Sequence, residues 1–143
     1  MNIHEFMAAY KRVWETQDSE GFASLFTENG RYNNTPFQVQ DTFEARKQYW
    51  DRIKLQEDIS LTYKVLAETE NGGVAHWNVI YQVASEELFE IWAKSTGTGL
   101  PDRKPGDPLP RMELDGMLVA EFSTQGLAEH VQIWWHSMPR PIS

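Results

Sequence analysis

The apolar residues of this chain change their spacing once, near residue 55, and that change limits what the chain can fold into. Ahead of it, Ile3, Phe6, Tyr10, Val13 and Trp14 recur at about 3.6 residues, so IHEFMAAYKRVW reads as an amphipathic helix ending near TQD. Asp18 or Ser19 suits the cap of a second, short helix through EGFASLF, where Phe22, Leu25 and Phe26 form one stripe. Asp41, followed three residues later by Glu44, opens a third helix over DTFEARKQYWDRI, with Phe43, Trp50 and Ile53 on one face. Between the second and third helices lies RYNNTPF. Its Pro36 lacks a donor and disfavours helix before it, which predicts an extended strand with a free or interrupted edge.

After the change the period is two. ISLTYKVLA alternates Ile59, Leu61, Tyr63 and Val65 with polar neighbours, and NGG at 71–73 is a hairpin turn into VAHWNVIYQV. The end of the chain, MELDGMLVAEFSTQGLAEHVQIWWHS, reads as two long strands joined around STQG. In between, SEELFEIWAK suits either a helix capped by Ser85 or a continuation of the preceding strand. Residues 97–112 are rich in Pro and Gly and read as a loop; GTGLPD within it lacks the third glycine of a dinucleotide motif and has Pro101 where the helix should open. The order predicts a single α+β domain spanning 1–143, with helices gathered on one side of a curved, mostly antiparallel sheet.

A chain of 143 residues should bury roughly 70% of its unfolded surface. Six Trp, seven Phe and five Tyr supply more large apolar area than a scaffold needs, enough to line a cavity as well as fill a core. With net charge −8 and no Lys or Arg stripe, nucleic acid is not an expected partner. No apolar run is long enough to span a membrane, and MNIHEFMAAYKR mixes charge into its apolar positions, so a soluble cytoplasmic protein is expected. The absence of cysteine removes disulfides, thiol nucleophiles and thiolate metal sites.

A helix ending in ETQD, then ASLFTENGRY, FEARKQYW, and ELDGMLVAEFSTQG running into EHVQIWW together resemble the nuclear transport factor two-like superfamily, and in particular its SnoaL-like members. The resemblance implies a cone: three N-terminal helices packed on a strongly curved sheet, a pocket at the open end, and homodimerisation. Such a fold hosts isomerases, cyclases, hydrolases and plain binders, so it does not by itself assign an activity.

The residues narrow the choice. A ketosteroid-isomerase-like reaction implies a carboxylate before the proline of the first strand, where this chain has Thr35; Tyr10 matches the tyrosine donor, but the strand acid falls on Leu118. The Tyr-x-Asn-x-Pro segment of limonene-epoxide-hydrolase-like members matches YNNTP, giving Tyr32 and Asn34 the water-holding roles. The Arg and Asp of that comparison fall on His76 and Asn78, and a further Asp falls on or near Ile133, so His76 alone is left to move protons. Cyclase-type use of a late acid leaves Asp115, which reads as a bulge or turn residue beside Gly116, and His136, which reads as exposed. His130 and His136 lie six residues apart, about 20 Å along a strand, too far to share a metal ion.

Burial logic puts Ala75, Trp77, Val79, Tyr81 and Val83 inside and leaves Val74, His76, Asn78, Ile80 and Gln82 outside, whereas the resemblance puts His76 and Asn78 inside. We favour the aromatic set inside. The expectation is thus a pocket for a small hydrophobic molecule, without cofactor or metal, in a homodimer. Tyr10, Trp14, Tyr32, Asn34, Trp50, His76, Trp77, Asn78 and Trp135 are the ligand-binding candidates, and Tyr32, Asn34 and His76 are the catalytic ones, should there be catalysis.

Overall fold

The computed structural model describes residues 1–95 and 106–140, with side chains assigned outside 91–95. Helix α1 spans Ile3–Glu15 and starts in a capping box: Asn2 Oδ1 accepts from the Glu5 amide (2.9 Å) and Glu5 Oε1 from the Asn2 amide (3.3 Å). Helix α2, Ser19–Ala23, is capped by Asp18, and strand β1 runs Phe26–Thr35. Strand β2 is Gln38–Gln40, helix α3 is Phe43–Trp50, and a 3₁₀ turn follows over Asp51–Leu55. Strands β3 (Gln56–Thr69) and β4 (Gly72–Val83) form a hairpin, α4 covers Glu86–Ser95, and β5 (Arg111–Phe122) and β6 (Ala128–Arg140) close the chain.

One six-stranded sheet holds these strands in the order β2-β1-β6-β5-β4-β3. All neighbours are antiparallel except β1 and β6, whose parallel ladder brings the N-terminal segment beside the last strand. Bulges at Glu57/Ser60 and Val65/Ala67 bend β3, and Asp58 takes φ 50° in the first of them. The sheet therefore curls around α1, whose Ile3, Phe6, Tyr10 and Val13 are buried against its inner face.

Several predicted details shift, each for a tertiary reason. The second helix stops at Ala23, because Leu25 and Phe26 are drawn into the parallel ladder: the Ala128 amide donates to Leu25 O (2.8 Å) and Phe26 pairs with Ala128. RYNNTPF is not a free edge, since β2 folds back on β1 through Thr35 and Gln38 and becomes the edge itself. Thr42, not Asp41, caps α3 by accepting from the Ala45 amide (3.0 Å), and Phe43 is exposed instead of sharing the face of Trp50 and Ile53. The hairpin turn falls at Glu70 and Asn71, and Gly72 and Gly73 are strand residues: a Cβ on Gly72 would strike Ala120 O, and one on Gly73 would sit 2.8 Å from Ile3 Cβ. SEELFEIWAK is a helix, with Ser85 Oγ accepting from the Leu88 amide (3.2 Å). Strand β5 starts at Arg111, so the predicted loop ends earlier than 112; its residues 97–105, with all of GTGLPD, lie outside the described residues.

Asp115 is no bulge. It pairs regularly with Asn78 and His136, and Gly116 beside it serves a different purpose: a Cβ there would lie 2.6 Å from Cε2 of Trp77, so the glycine makes room for the indole.

Arg46 fastens the helical layer. It is 1% exposed, and its guanidinium donates to Gly30 O (2.8 Å), Thr27 O (3.2 Å) and Ala23 O (3.3 Å) while lying 4.9 Å above the Phe26 ring. Arg46→Met would leave those carbonyls without this donor in a dry corner and should cost about 3 kcal/mol. Urea unfolding with an unchanged m-value measures it; a loss below ~1 kcal/mol would mean the carbonyls find water or other donors.

Candidate functional site

The concave face of the sheet and the helices enclose a cavity of about 70 Å³. Its position follows from the alternation of β4: Ala75, Trp77, Val79, Tyr81 and Val83 point inward and are buried. Trp77 and Tyr81 form one wall with Leu114 of β5 and with Ile133 and Trp135 of β6. Helix α1 adds Tyr10 and Trp14, one turn apart, and β1 adds Tyr32. Tyr49 and Trp50, Arg52 and Ile53 come from the end of α3 and the 3₁₀ turn, Gln56 from the start of β3, and Leu88 from α4.

The aromatic rings brace one another. Phe22 stacks on Trp50 with centroids 3.8 Å apart and planes 4° from parallel, and Tyr10 meets Trp50 and Trp14 edge-on at 5.4 and 5.6 Å. The polar tips are mostly paired: Trp14 Nε1 donates to Gln56 Oε1 (2.7 Å), Trp135 Nε1 to Asn34 O (2.8 Å), and Trp50 Nε1 makes a longer contact to the Tyr32 hydroxyl (3.4 Å). Trp77 Nε1, on a residue 2% exposed, finds no acceptor among the described residues.

Burial pushes the hydroxyls of Tyr10, Tyr32, Tyr49 and Tyr81 above the usual tyrosine range, and in Tyr32, Tyr49 and Tyr81 the Arg52 cation pulls the other way. All four are neutral O–H groups at physiological pH, able to hold a ligand atom but unsuited to act as bases. Arg52 is the cationic member of the lining, and no Asp, Glu or His stands beside it among the described residues.

The sequence candidates divide accordingly. Tyr10, Trp14, Tyr32, Trp50, Trp77 and Trp135 meet around the cavity. Asn34 is buried behind the wall, its Nδ2 donating to Gln38 Oε1 (3.0 Å) and its carbonyl held by Trp135. His76 and Asn78 are not in the pocket. They point to the opposite face of the sheet, because their inward neighbours Ala75, Trp77 and Val79 take the core positions. There His76 Nε2 lies 2.8 and 2.9 Å from the Asp115 carboxylate oxygens, and Asn78 Nδ2 donates to Glu113 (2.8 Å) and Asp115 (3.1 Å). Burial alone would raise the Asp115 carboxyl, but the Asn78 and His76 hydrogen bonds hold it below the usual range. His136 is exposed on that same face, and His130 Nε2 sits 2.6 Å from Asn33 Oδ1. Leu118 and Ile133 are core residues, the latter also reaching the cavity. Among the described residues no group of three His, Asp or Glu converges as metal ligands would.

Sequence reasoning passed over Tyr49, Arg52, Gln56 and Leu88. Tyr49 carries a signal, being adjacent to the apolar-face Trp50; Arg52 and Gln56 carry none, since a 3₁₀ turn brings them in.

No family pattern and no curated protein sequence matches the chain. Solved structures do. An epoxide hydrolase/cyclase-like enzyme, SalBIII, with a role in pyran ring formation in the polyether salinomycin, superposes with TM-score 0.62 at 16% identity, covering 92% of this chain and 88% of that one. A nuclear transport factor two-like protein of unknown function from Exiguobacterium gives 0.60 at 17% identity, over 95% and 98%. A ketosteroid isomerase-like fold from Catenulispora acidiphila, in complex with trimethylamine, gives 0.57 at 11% identity, over 92% and 85%. This chain has the cone fold of the nuclear transport factor two-like, SnoaL-like proteins, and at these identities the likeness is one of fold.

The four tyrosines of the cavity wall set an alkaline limit. The fold holds their protons more tightly than the unfolded chain, whose tyrosines titrate near about 10. Below that pH they leave stability unchanged; above it stability falls, by up to about 1.4 kcal/mol per pH unit for each group. Tyrosinate absorbance from Tyr10, Tyr32, Tyr49 and Tyr81 should therefore appear together with loss of circular dichroism. Their ionisation inside a native protein would show the cavity to be wetter than its burial implies.

Proposed function

We propose that this protein binds a small, largely apolar or aromatic molecule in the cone cavity and orients it with tyrosine hydroxyls and Arg52. One observation carries the reading: the lining is aromatic, its hydroxyls are neutral, and it holds no Asp, Glu or His among the described residues. Epoxide opening or proton abstraction beside a carbonyl needs a positioned acid or base. Tyr32 reaches the cavity but keeps its proton, and His76 lies across the sheet, so the water-holding motif YNNTP has no proton-moving partner there. The free space of about 70 Å³ is roughly half that of a cavity that admits benzene. It takes a molecule of a few heavy atoms directly, and a single ring once the cavity walls yield.

A second proposal concerns the outer face. Trp134 and Met138, 45% and 55% exposed, stand there in register with Met117 and Glu113, and a large exposed indole on a sheet face suits a partner surface. We propose that two copies pack sheet against sheet through it. No helix among the described residues is long and apolar enough to cross a membrane, and a cysteine-free chain suits the reducing cytoplasm, where we place it.

Small aromatics and short-chain amides should raise the melting temperature in proportion to the logarithm of their excess over Kd. Leu114→Trp, filling the cavity, should remove the response while far-ultraviolet circular dichroism stays native. A panel without a shift, or a response that survives in Leu114→Trp, would remove the cavity as the binding site. Trp134→Lys should convert the dimer to monomer in light scattering at micromolar protein; a wild-type monomer would sink the dimer.

A further inference from the structure

Two donors of the cavity lining find no acceptor among the described residues, while the unpaired acceptor Asn34 Oδ1 lies behind the wall. Trp14 and Trp135 spend their indole N–H on Gln56 and on Asn34 O, and the Trp50 N–H faces the Tyr32 hydroxyl. Among the described residues, no acceptor stands at Trp77 Nε1, on a residue 2% exposed, or at the outer edge of the Arg52 guanidinium. Both are donors, and one carries a full positive charge.

Arg52 is also held as an anchor would be. Its Nε donates to Tyr49 O (2.9 Å) and its Cζ lies 3.8 Å over the centroid of the Tyr49 ring, which fixes the guanidinium plane and leaves the two Nη groups side by side. The nearest acid in sequence, Asp51, is occupied by Ser19, Lys47 and Lys54. No described carboxylate pairs with Arg52, although the chain carries eight more acidic than basic residues. Its charge is felt by the hydroxyls of Tyr32, Tyr49 and Tyr81, so it faces the cavity and not only the solvent.

We propose that the ligand is a small monocarboxylate with an apolar or aromatic body, its carboxylate paired with the two Nη groups of Arg52 and its body among the cavity rings. This rests on the cavity being the binding site. A planar carboxylate matches two parallel N–H donors. A monoanion matches one cation in a lining otherwise neutral, whereas a phosphate dianion would bring a second, uncompensated charge into a poorly solvated space. A cationic ligand would meet Arg52 as a like charge.

The test uses acid and amide pairs of equal shape: acetate and acetamide, propionate and propionamide, benzoate and benzamide, titrated calorimetrically into the full chain. Each acid should bind at least tenfold more tightly than its amide. In Arg52→Gln the ratio should fall to near one with the amides unchanged, and Arg52→Lys, which keeps the charge but not the paired geometry, should restore part of it. If amides bind wild type as well as acids do, the carboxylate assignment fails while the cavity reading stands. If the preference for acids persists in Arg52→Gln, another cation supplies it and the assignment also fails. If neither member of any pair binds, the cavity reading falls and takes this one with it. Should Arg52→Gln lose its fold, the wild-type ratio and its partial recovery in Arg52→Lys decide the matter alone.

Discussion

A single buried guanidinium decides where the helical layer sits. Arg46 reaches from the middle of α3 to carbonyls of α2 and the irregular start of β1, groups that neither helix nor ladder would otherwise satisfy. Burial lowers its affinity for its proton, and nearby Asp41 pulls the other way without forming a pair. The charge is thus held by backbone dipoles and by the Phe26 face, an arrangement that fixes direction more firmly than an ion pair between flexible side chains would. Trp50 follows Arg46 by one helical turn and is thereby set flat on Phe22, and Tyr49, Arg52 and Ile53 are carried to the cavity rim. The site is a consequence of how α3 is moored.

The same mooring explains why the cavity is small. Large rings from α1, α2, α3 and the sheet converge on a space that a wider cone would leave open, and their mutual contacts at 3.8 to 5.6 Å leave about 70 Å³. Packing of this kind resists compression, so selection by size is built into the walls before any polar contact is counted.

Hydrophobic alternation made most of the sheet legible. The inward set of β4 and the split of the last strand into Val131, Ile133 and Trp135 against His130, Gln132, Trp134 and His136 are as the period of two implies. Turn chemistry was a poorer guide, because Gly72, Gly73 and Gly116 answer to close approach of Ala120 O, Ile3 and Trp77, and such needs are invisible locally. Helix ends shifted for a similar reason: Ala128 of β6 is 102 residues away from Phe26 in the chain and yet decides where α2 stops. Motif matching pointed to Tyr32, which lines the cavity, and to His76 and Asn78, which do not, because side-chain direction in a strand is set by parity, and one residue of offset sends a match to the far face.

That offset separates the chemistry of the two faces. The outer face collects His76, Asp115, Asn78 and Glu113 into a hydrogen-bonded group in contact with water, where ionised carboxylates are well solvated. Among the described residues the polar groups of the inner face come from tyrosine, tryptophan, Gln56 and Arg52. A carboxylate placed inside would either neutralise Arg52 or bind a proton, and in both cases it would remove the free charge that the cavity now presents. Among the described residues the lining holds no acid, and on the reading proposed above that leaves Arg52 for an anion brought from outside.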